Sequence, residues 1–270
     1  QIDNFDWSIG TSEDDIGAQA GFFNPFGSDL VFGGSDLLQL SEMAGNGGEI
    51  GLWAYSVESG VIRDYFRQTV PILGSNSNDG LAGSSGAAHI LGHDGNDTLN
   101  GGGGDDFVFG GQGNDQIYGR AGNDNILGGQ GSDQISGDSG NDILTGSSRA
   151  DIILGGSGDD FLNGGFGYDR LTGGAGADRF YHEGALGHGS DWITDYYAPE
   201  GDVLCFGVMP ATAADFVVQY AETLGAGQSG TKEAFVTYIP TGQILWAIED
   251  GALADQIWIV LDGSAFDLLQ

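Results

Sequence analysis

The chain is short of positive charge. Its 270 residues include only 7 lysines and arginines against 39 aspartates and glutamates, which gives a formal net charge of -32. The phosphates of nucleic acids and of anionic membranes would repel such a surface. Apolar residues make up 40% of the chain and aromatic residues 11%, which excludes an acidic disordered tail. The composition predicts a folded protein whose partners are cations.

Cysteine and long apolar runs are also scarce. Cys205 is the single cysteine, so no disulfide can form within the chain, and we expect it to pack as a small core residue. No apolar run approaches the roughly 18 residues of a transmembrane helix, so no transmembrane segment is expected. The first residues, QIDNFDWSIGTSEDD, show neither the basic nor the apolar region of a secretory signal peptide.

Glutamate is missing from the middle of the chain. None occurs between Ser59 and His182, although aspartate is abundant there. Either acid would serve solubility equally well. The exclusive use of aspartate, which has the shorter side chain, predicts that these carboxylates bind a partner that lies close to the backbone.

The same region repeats every nine residues, as in GGQGNDQIY at 110–118. Twelve units follow one another without gaps from Gly74 to Tyr181. Position one is always glycine, position eight is always apolar, and position four is glycine except at Ser77 and Arg149. Position six is aspartate except at Ala88, and its members are Asp79, Asp97, Asp106, Asp115, Asp124, Asp133, Asp142, Asp151, Asp160, Asp169 and Asp178.

Each unit combines a turn with a strand. Three glycines in the first four positions permit a tight turn with positive φ angles, and the last three positions predict a short strand with position eight pointing inward. Two units make a coil of 18 residues, and stacked coils form a solenoid. The segments 1–73 and 182–270 predict β-rich flanks, the second with antiparallel strands over 215–223, 233–240, 242–251 and 255–263, a hairpin turn at 240–242 and one helical turn within 209–216.

Stacking predicts two columns of aspartates. Equivalent carboxylates 18 residues apart would lie about 4.8 Å apart and repel each other. Calcium binds oxygens at about 2.3–2.6 Å, so one ion between coils spans this gap, whereas Mg²⁺ prefers stricter geometry and Zn²⁺ prefers Cys or His. Odd units form the column of Asp79, Asp97, Asp115, Asp133, Asp151 and Asp169, and even units form the column of Ala88, Asp106, Asp124, Asp142, Asp160 and Asp178.

These units resemble the GGxGxDxUx nonapeptide of the repeats-in-toxin (RTX) proteins. The resemblance implies an all-β fold, a right-handed parallel β-roll, in which each calcium takes aspartates from two adjacent coils and loop carbonyls, with roughly eight to ten ions in all. The carbonyls that it implies belong to Gly101, Gly102, Gly104, Gly110, Gly111, Gly113, Gly119, Gly122, Gly128, Gly129, Gly131, Gly137, Gly140, Gly155, Gly156 and Gly158.

The flank after the repeats resembles the segment that closes the roll in serralysin-type proteins, on the stretch from Arg179 to Gly207. The ending GSAFDLLQ resembles the tail that RTX proteins use as an uncleaved type I secretion signal, which implies a secreted protein; an ordinary terminal strand is the alternative. His182, Glu183, His188 and Asp191 form either a transition-metal site or a polar loop, and Asp191, Asp195 and Asp202 offer one more calcium site.

No enzyme motif is found: HExxH, GxSxG and a phosphate-binding loop are all missing from the sequence. We therefore expect a secreted, non-enzymatic calcium-binding protein with a structural, adhesive or assembly role at or outside the cell surface, with self-association or an extracellular partner. One alternative is a calcium-folded accessory or secretion module of a secreted hydrolase. Another is a carbohydrate-binding module that uses exposed Trp192 and Trp246.

Overall fold

A computed structural model describes residues 71–270 except Leu186 and Met209, together with the backbone of five earlier strands. The chain divides into two compact units, one within Gln1–Met43 and Ile50–Gln68, the other including Thr69–Gln270. In the first unit, β1 (Ser8–Ile9) pairs antiparallel with β2 (Ile16–Ala18). A second sheet joins β3 (Asp36–Glu42), β4 (Ile50–Ser56) and β5 (Ile62–Phe66), also antiparallel.

Residues 72–182 form thirteen strands, one every nine residues, of which the first precedes the repeats. They are β6 (Ile72–Leu73), β7 (Gly80–Ala82), β8 (His89–Asp94), β9 (Thr98–Gly103), β10 (Phe107–Gln112), β11 (Gln116–Ala121), β12 (Asn125–Gln130), β13 (Gln134–Ser139), β14 (Ile143–Ser148), β15 (Ile152–Ser157), β16 (Phe161–Phe166), β17 (Arg170–Ala175) and β18 (Arg179–His182). Each strand pairs in parallel with the strand 18 residues further on, as Val108 does with Ile126. The predicted parallel β-solenoid is confirmed.

The strands are longer than the three residues predicted. From β8 to β17 each has six residues, which cover positions seven to nine of one unit and one to three of the next. The ladder skips position one, so Phe109 pairs with Leu127 and Gly111 with Gly129, but Gly110 has no partner. The skipped pairing marks a bend inside the strand. The glycines at positions one to three, which predicted a turn, lie at this bend. Only positions four to six lie outside the strand.

Position eight fills the interior of the roll. From Ile90 to Phe180 all eleven of these side chains are buried, and only Leu81 in the first unit is partly exposed. Burying each aliphatic side chain contributes about 1.5–3 kcal/mol. With one such residue in nine, the hydrophobic core of the repeats is thin.

Two positions of the unit have left-handed backbone: position two within the strand and position four in the loop. Gly111 and Gly113 have φ angles of 119° and 132°, and Arg149 at a position four is forced to 82°. Such angles strain a residue that carries a Cβ atom. The glycine pattern is therefore explained by conformation as well as by close approach between coils.

The parallel stacking continues beyond the repeats. The later strands are β19 (Asp191–Ile193), β20 (Val203–Phe206), β21 (Phe216–Ala221), β22 (Glu233–Tyr238), β23 (Gln243–Ile248), β24 (Trp258–Leu261) and β25 (Ser264–Asp267). Short 3₁₀ helices cover Ala198–Glu200, Ala213–Asp215 and Gly251–Leu253. We call residues 182–270 the cap.

The prediction of an antiparallel cap is correct only in part. β21, β22 and β23 are antiparallel, with the predicted turn between the last two, and β24 and β25 form an antiparallel hairpin. However, β23 pairs in parallel with β19, and β24 with β20, so each continues a sheet of the roll. Two ten-stranded sheets result, one running from β6 to β25 and one from β7 to β21. Among the described residues, no helix has the length and hydropathy of a transmembrane span.

Candidate metal centre

The position-six aspartates form two ladders of hydrogen bonds between coils. Oδ1 of each aspartate accepts the backbone N–H of the position-six residue 18 residues earlier, as Asp124 does from Asp106. Eleven such bonds, one of them across a longer spacing of 24 residues at Asp202, measure 2.6–3.0 Å. The predicted two-column register is confirmed by these contacts.

The second oxygen of each carboxylate has no partner. Oδ2 is buried without a hydrogen bond in ten repeat aspartates, namely Asp97, Asp106, Asp115, Asp124, Asp133, Asp142, Asp151, Asp160, Asp169 and Asp178. All ten side chains are at most 3% exposed. An isolated buried carboxylate is strongly unfavourable unless it is protonated, paired with a cation or bound to a metal. The ladder therefore presents two rows of free anionic oxygens.

Glycine at position one makes room for these oxygens. A Cβ atom added to Gly110 or Gly119 would collide with Oδ2 of the aspartate five residues later and with a carbonyl oxygen of the next coil. The φ angles of these two glycines do not require glycine, so close packing alone accounts for it. Position one and position six thus form one structural unit.

Burial raises the pKa of the ladder aspartates. The pKa is about 8 for Asp151, about 7 for Asp160 and about 6 for Asp106, Asp133, Asp142 and Asp178, chiefly because the charged form is desolvated. The charge of neighbouring aspartates adds to the effect, and each backbone N–H opposes it. A bound cation would reverse this balance by stabilising the ionised form.

The first coil supplies fewer free carboxylate oxygens than the later coils. Asp79 is partly exposed, and its Oδ2 accepts hydrogen bonds from the N–H and Oγ of Ser75, which lower its pKa. Ala88 keeps the backbone part of the ladder by donating its N–H to Asp106, but it supplies no carboxylate. Among the described residues the Arg149 guanidinium makes no ion pair, and it does not offset the raised pKa of Asp151.

A second ladder at position five was not predicted. Asn or Asp Oδ1 at this position accepts the N–H of the position-five residue in the next coil, as Asn123 does from Asn141 at 2.8 Å. Seven such bonds measure 2.8–3.0 Å. The recurring Asn or Asp immediately before the position-six aspartate was the available signal. These side chains are exposed, and their acceptor role needs no charge.

The loop glycines named in the sequence analysis lie on the same turns as the aspartates. Their stacking is close, since a Cβ atom on Gly113 or Gly131 would meet a carbonyl oxygen 18 residues earlier. Within the described residues, no three His, Cys, Asp or Glu side chains gather at one point. A calcium site here must therefore combine carboxylates with backbone carbonyls. That these particular glycines supply the carbonyls stays a prediction.

The polar segment after the repeats is folded rather than loosely solvated. His182 is buried, and both ring nitrogens are engaged: Nδ1 accepts the N–H of Gly184 at 2.9 Å, and Nε2 lies 3.2 Å from the carbonyl of Gly189. His182 is therefore not free to bind a transition metal. His188 stacks against it with ring centroids 4.5 Å apart, and its Nδ1 has no partner.

Trp246 is wrong as an exposed binding residue. Its side chain is fully buried in the cap, where it packs edge-on against His182. Trp192 is half-buried and donates its Nε1–H to Glu249 at 3.1 Å. The tail strand β25 forms a hairpin with β24, which accounts for its amphipathic pattern; its role in secretion stays a prediction.

Comparison with known proteins gives one family and two structural likenesses. The model of the RTX calcium-binding nonapeptide repeat, in four copies, matches residues 73–108, 82–117, 100–135, 109–144, 136–171 and 154–184. No curated protein matches the chain.

The structural likenesses are to an extracellular lipase and to a subunit of an epimerase. The extracellular lipase LipA from Serratia marcescens is 19% identical, with 71% of this chain and 39% of the lipase covered and a TM-score of 0.35. The AlgE6R3 subunit of the Azotobacter vinelandii mannuronan C5-epimerase is 23% identical, with 72% and 83% covered and a TM-score of 0.27. The chain thus spans well under half of the lipase.

The nonapeptide pattern, the parallel roll, the two aspartate columns and the family match all fall on the same residues. Residues 73–184 of this chain are RTX calcium-binding nonapeptide repeats.

Proposed function

We propose that residues 74–181 bind a ladder of calcium ions and fold only when they do, so that the protein is exported unfolded and becomes rigid outside the cell. The observation that carries this proposal is the set of ten buried Oδ2 atoms without partners. Calcium accepts oxygen ligands in flexible geometry, and two carboxylates supply its charge. Binding and folding are then one process, because the unfolded chain holds no preformed site.

The ligands differ in one respect from the sequence prediction. Each aspartate uses Oδ1 for the backbone ladder and keeps Oδ2 for the ion, so one free oxygen per carboxylate faces each gap. Position-one glycine leaves the space beside that oxygen. With Ala88 removing one carboxylate, we expect about nine ions between the repeats, within the eight to ten predicted, at the spacing that calcium spans.

The experiment compares neighbouring aspartates of one loop. Asp106→Asn removes the charge of a buried, unpartnered carboxylate, whereas Asp105→Asn makes the same change at position five, where only an acceptor oxygen is needed. The calcium content of the dialysed full chain should fall by one or two ions in Asp106→Asn and stay unchanged in Asp105→Asn. Equal losses in both variants, or none in Asp106→Asn, would contradict the proposal.

For the whole protein we propose a structural or adhesive role outside the cell. The formal charge of -32 supports bridging of copies or surfaces by calcium, since divalent ions screen and link acidic surfaces. Light scattering of the full chain at increasing calcium concentration tests this role. Larger particles that revert with chelator support it, and a constant monomer mass beyond the folding transition contradicts it.

A carbohydrate-binding role is favoured by a different observation. A cleft of about 510 Å³ is lined by Phe166, Tyr168, Ser190 and Gln243, among others. The two aromatic side chains are 51% and 77% exposed, whereas Oε1 of Gln243 is buried without a partner. Aromatic faces beside neutral polar groups suit sugar rings. Glycan binding that is lost in Tyr168→Ala but kept in Tyr118→Ala would select this role.

A further inference from the structure

A thirteenth nonapeptide lies beyond the gapless repeats. After the four residues 182–185, the stretch LGHGSDWIT at 186–194 again has glycine at positions two and four, aspartate at position six and an aliphatic residue at position eight. Only position one departs from the pattern, with Leu186. The family match ends at residue 184, so it does not include this unit.

The structure places this unit in register with the odd column. Gly187 and Gly189 have φ angles of 83° and 108°, as positions two and four require. Gly189 bridges to Gly167, which is position four of the eleventh unit. Trp192 donates its N–H to the carbonyl of Asp169 at 2.7 Å, and this bond from position seven to position six recurs through the repeats.

Asp191 therefore extends the odd column, but with more free oxygen than any repeat aspartate. Its side chain is 0% exposed, and neither Oδ1 nor Oδ2 has a hydrogen-bond partner. Oδ2 of Asp169, one coil earlier, is also buried and unpartnered. Three carboxylate oxygens at the end of the column thus lack partners.

The even column ends differently. Asp202 occupies the corresponding place, and it is equally buried. Its Oδ1 accepts the N–H of Asp178 at 3.0 Å, and its Oδ2 accepts the N–H of Tyr197 at 2.7 Å. Both oxygens of Asp202 are satisfied by the backbone, so burial at the end of a column does not by itself leave oxygens free.

The next coil closes the odd column with an aromatic side chain. Trp246 pairs with Asp191 across the parallel ladder and so stands at position six, where it offers no carboxylate. The loop is fixed by the cap, because the carbonyl of Gly189 accepts the Nε2–H of Gln243 at 2.7 Å as well as facing His182. The end of the column is therefore shaped by residues that lie outside the repeats.

We propose that Asp169 and Asp191 hold one further calcium ion, which joins the last coil of the repeats to the cap. This inference rests on the proposed function, since it extends the same column by one site. A hard divalent cation fits carboxylate oxygens in a place where His182 has no free nitrogen. The site would make closure of the cap depend on calcium through a residue outside the family match.

The test uses Asp191→Asn in the full chain, with Asp202→Asn as the matched control for a buried column-end aspartate whose oxygens are satisfied. After dialysis against calcium, Asp191→Asn should hold one ion fewer than the wild type, and Asp202→Asn should hold the same number. Circular dichroism at saturating calcium checks that both variants are folded. An unchanged ion count in Asp191→Asn, or an equal loss in both variants, would overturn the assignment.

Terbium luminescence reports whether an ion is bound at this particular site. Because Trp246 pairs directly with Asp191, a Tb³⁺ ion at this site should be excited through tryptophan. The emission should fall several-fold in Asp191→Asn and persist in Asp97→Asn, which lies far along the column. Displacement of terbium by Zn²⁺ at lower concentrations than by Ca²⁺ would overturn the calcium assignment. If wild-type protein binds no calcium at all, the proposed function fails as well; if only the Asp191 effects are missing, this inference alone fails.

Discussion

The repeats and the cap share their two sheets and their parallel stacking, yet different interactions hold them together. In the repeats, position six is a buried aspartate with a free oxygen, and position eight is the single core residue of each unit. In the cap, Trp246 replaces the aspartate, and Phe206, Phe216 and Tyr238 form an aromatic cluster with ring centroids 4.8–5.3 Å apart. On the proposed function, the same backbone stacking is stabilised by ions in the repeats and by side-chain packing in the cap.

This difference shows what the aspartates contribute. The aromatic packing within the cap does not itself require calcium, because burial of apolar area needs no ligand. Folding of the repeats without calcium would bury ten unpaired carboxylates around a thin core, and this cost exceeds the small net stability of a domain. On the proposed function, the repeats therefore have little intrinsic stability and fold in response to calcium.

The largest expected effect is a pH dependence of the stability of the repeats, as opposed to the cap, when calcium is removed. Six of the buried ladder aspartates have folded-state pKa values of about 6 to about 8, above the ordinary 3.8, and burial raises the pKa of the other four as well. The folded repeats therefore bind more protons than the unfolded chain in this range. Their free energy of unfolding must then fall as pH rises from about 4 to about 8, and it is highest below about pH 4. With chelator, circular dichroism should show more β structure at the acidic end. With saturating calcium, this trend should weaken or reverse, because protons compete with the ion.

The cap can be weakened independently of the ions. Trp246→Ala removes a fully buried indole and should lower the free energy of unfolding by about 3–5 kcal/mol in calcium. Trp192→Ala, at a half-buried side chain of the preceding coil, should cost clearly less. Chemical denaturation followed by circular dichroism measures both. Equal losses would mean that burial in the cap does not determine its stability.

Position within a column should decide the cost of losing an aspartate. Asp124→Ala removes a buried carboxylate that faces two gaps and should cost on the order of 2–4 kcal/mol in calcium, since the facing carboxylates lose their shared cation. Asp79→Ala, in the first coil, where Ser75 already binds Oδ2, should cost clearly less. Calcium-dependent melting compares the two variants. A larger loss for Asp79→Ala would reject the two-column account.

The smallest expected effect is a gain. Ala88→Asp supplies the carboxylate missing from the even column and should add one calcium ion, with about 1 kcal/mol of stability at saturating calcium. With chelator the same variant should be less stable than the wild type, because it adds one more unpaired carboxylate. Stabilisation under both conditions would show that charge pairing with calcium is not its cause.

Much of the fold and of the candidate site was predictable from the sequence, because the same pattern occurs in twelve consecutive units. Glycine at position one, aspartate at position six and the aliphatic residue at position eight each report a separate contact, and together they predicted the coil, the two columns and the core. The thirteenth unit was missed because four inserted residues break the period before Leu186 and because its position one is not glycine. The use of Oδ1 for a backbone bond could not be predicted, since spacing does not reveal which oxygen a neighbouring N–H reaches.

The cap was harder to predict for a different reason. Its strands β23 and β24 show ordinary alternating patterns, and such patterns do not distinguish antiparallel hairpins from continuation of a parallel sheet. The burial of Trp246 likewise depends on the preceding coil, where it pairs with Asp191. These two residues are far apart in the sequence, so the sequence alone did not reveal the contact. Within the predicted β-rich segment 1–73, the described residues up to 70 are the backbone of β1 to β5, and the other residues of 1–70 lie outside the described part.

Hydrogen exchange of the full chain at neutral pH tests the central claim most directly, because it reports the repeats and the cap in one sample. With calcium, the backbone amides of positions six and seven throughout 97–178, which donate within the ladders, should be strongly protected. With chelator, that protection should be lost over the repeats by several orders of magnitude, while the amides of β22 and β23 in the cap keep most of theirs. Equal protection of the repeats with and without calcium would contradict the account.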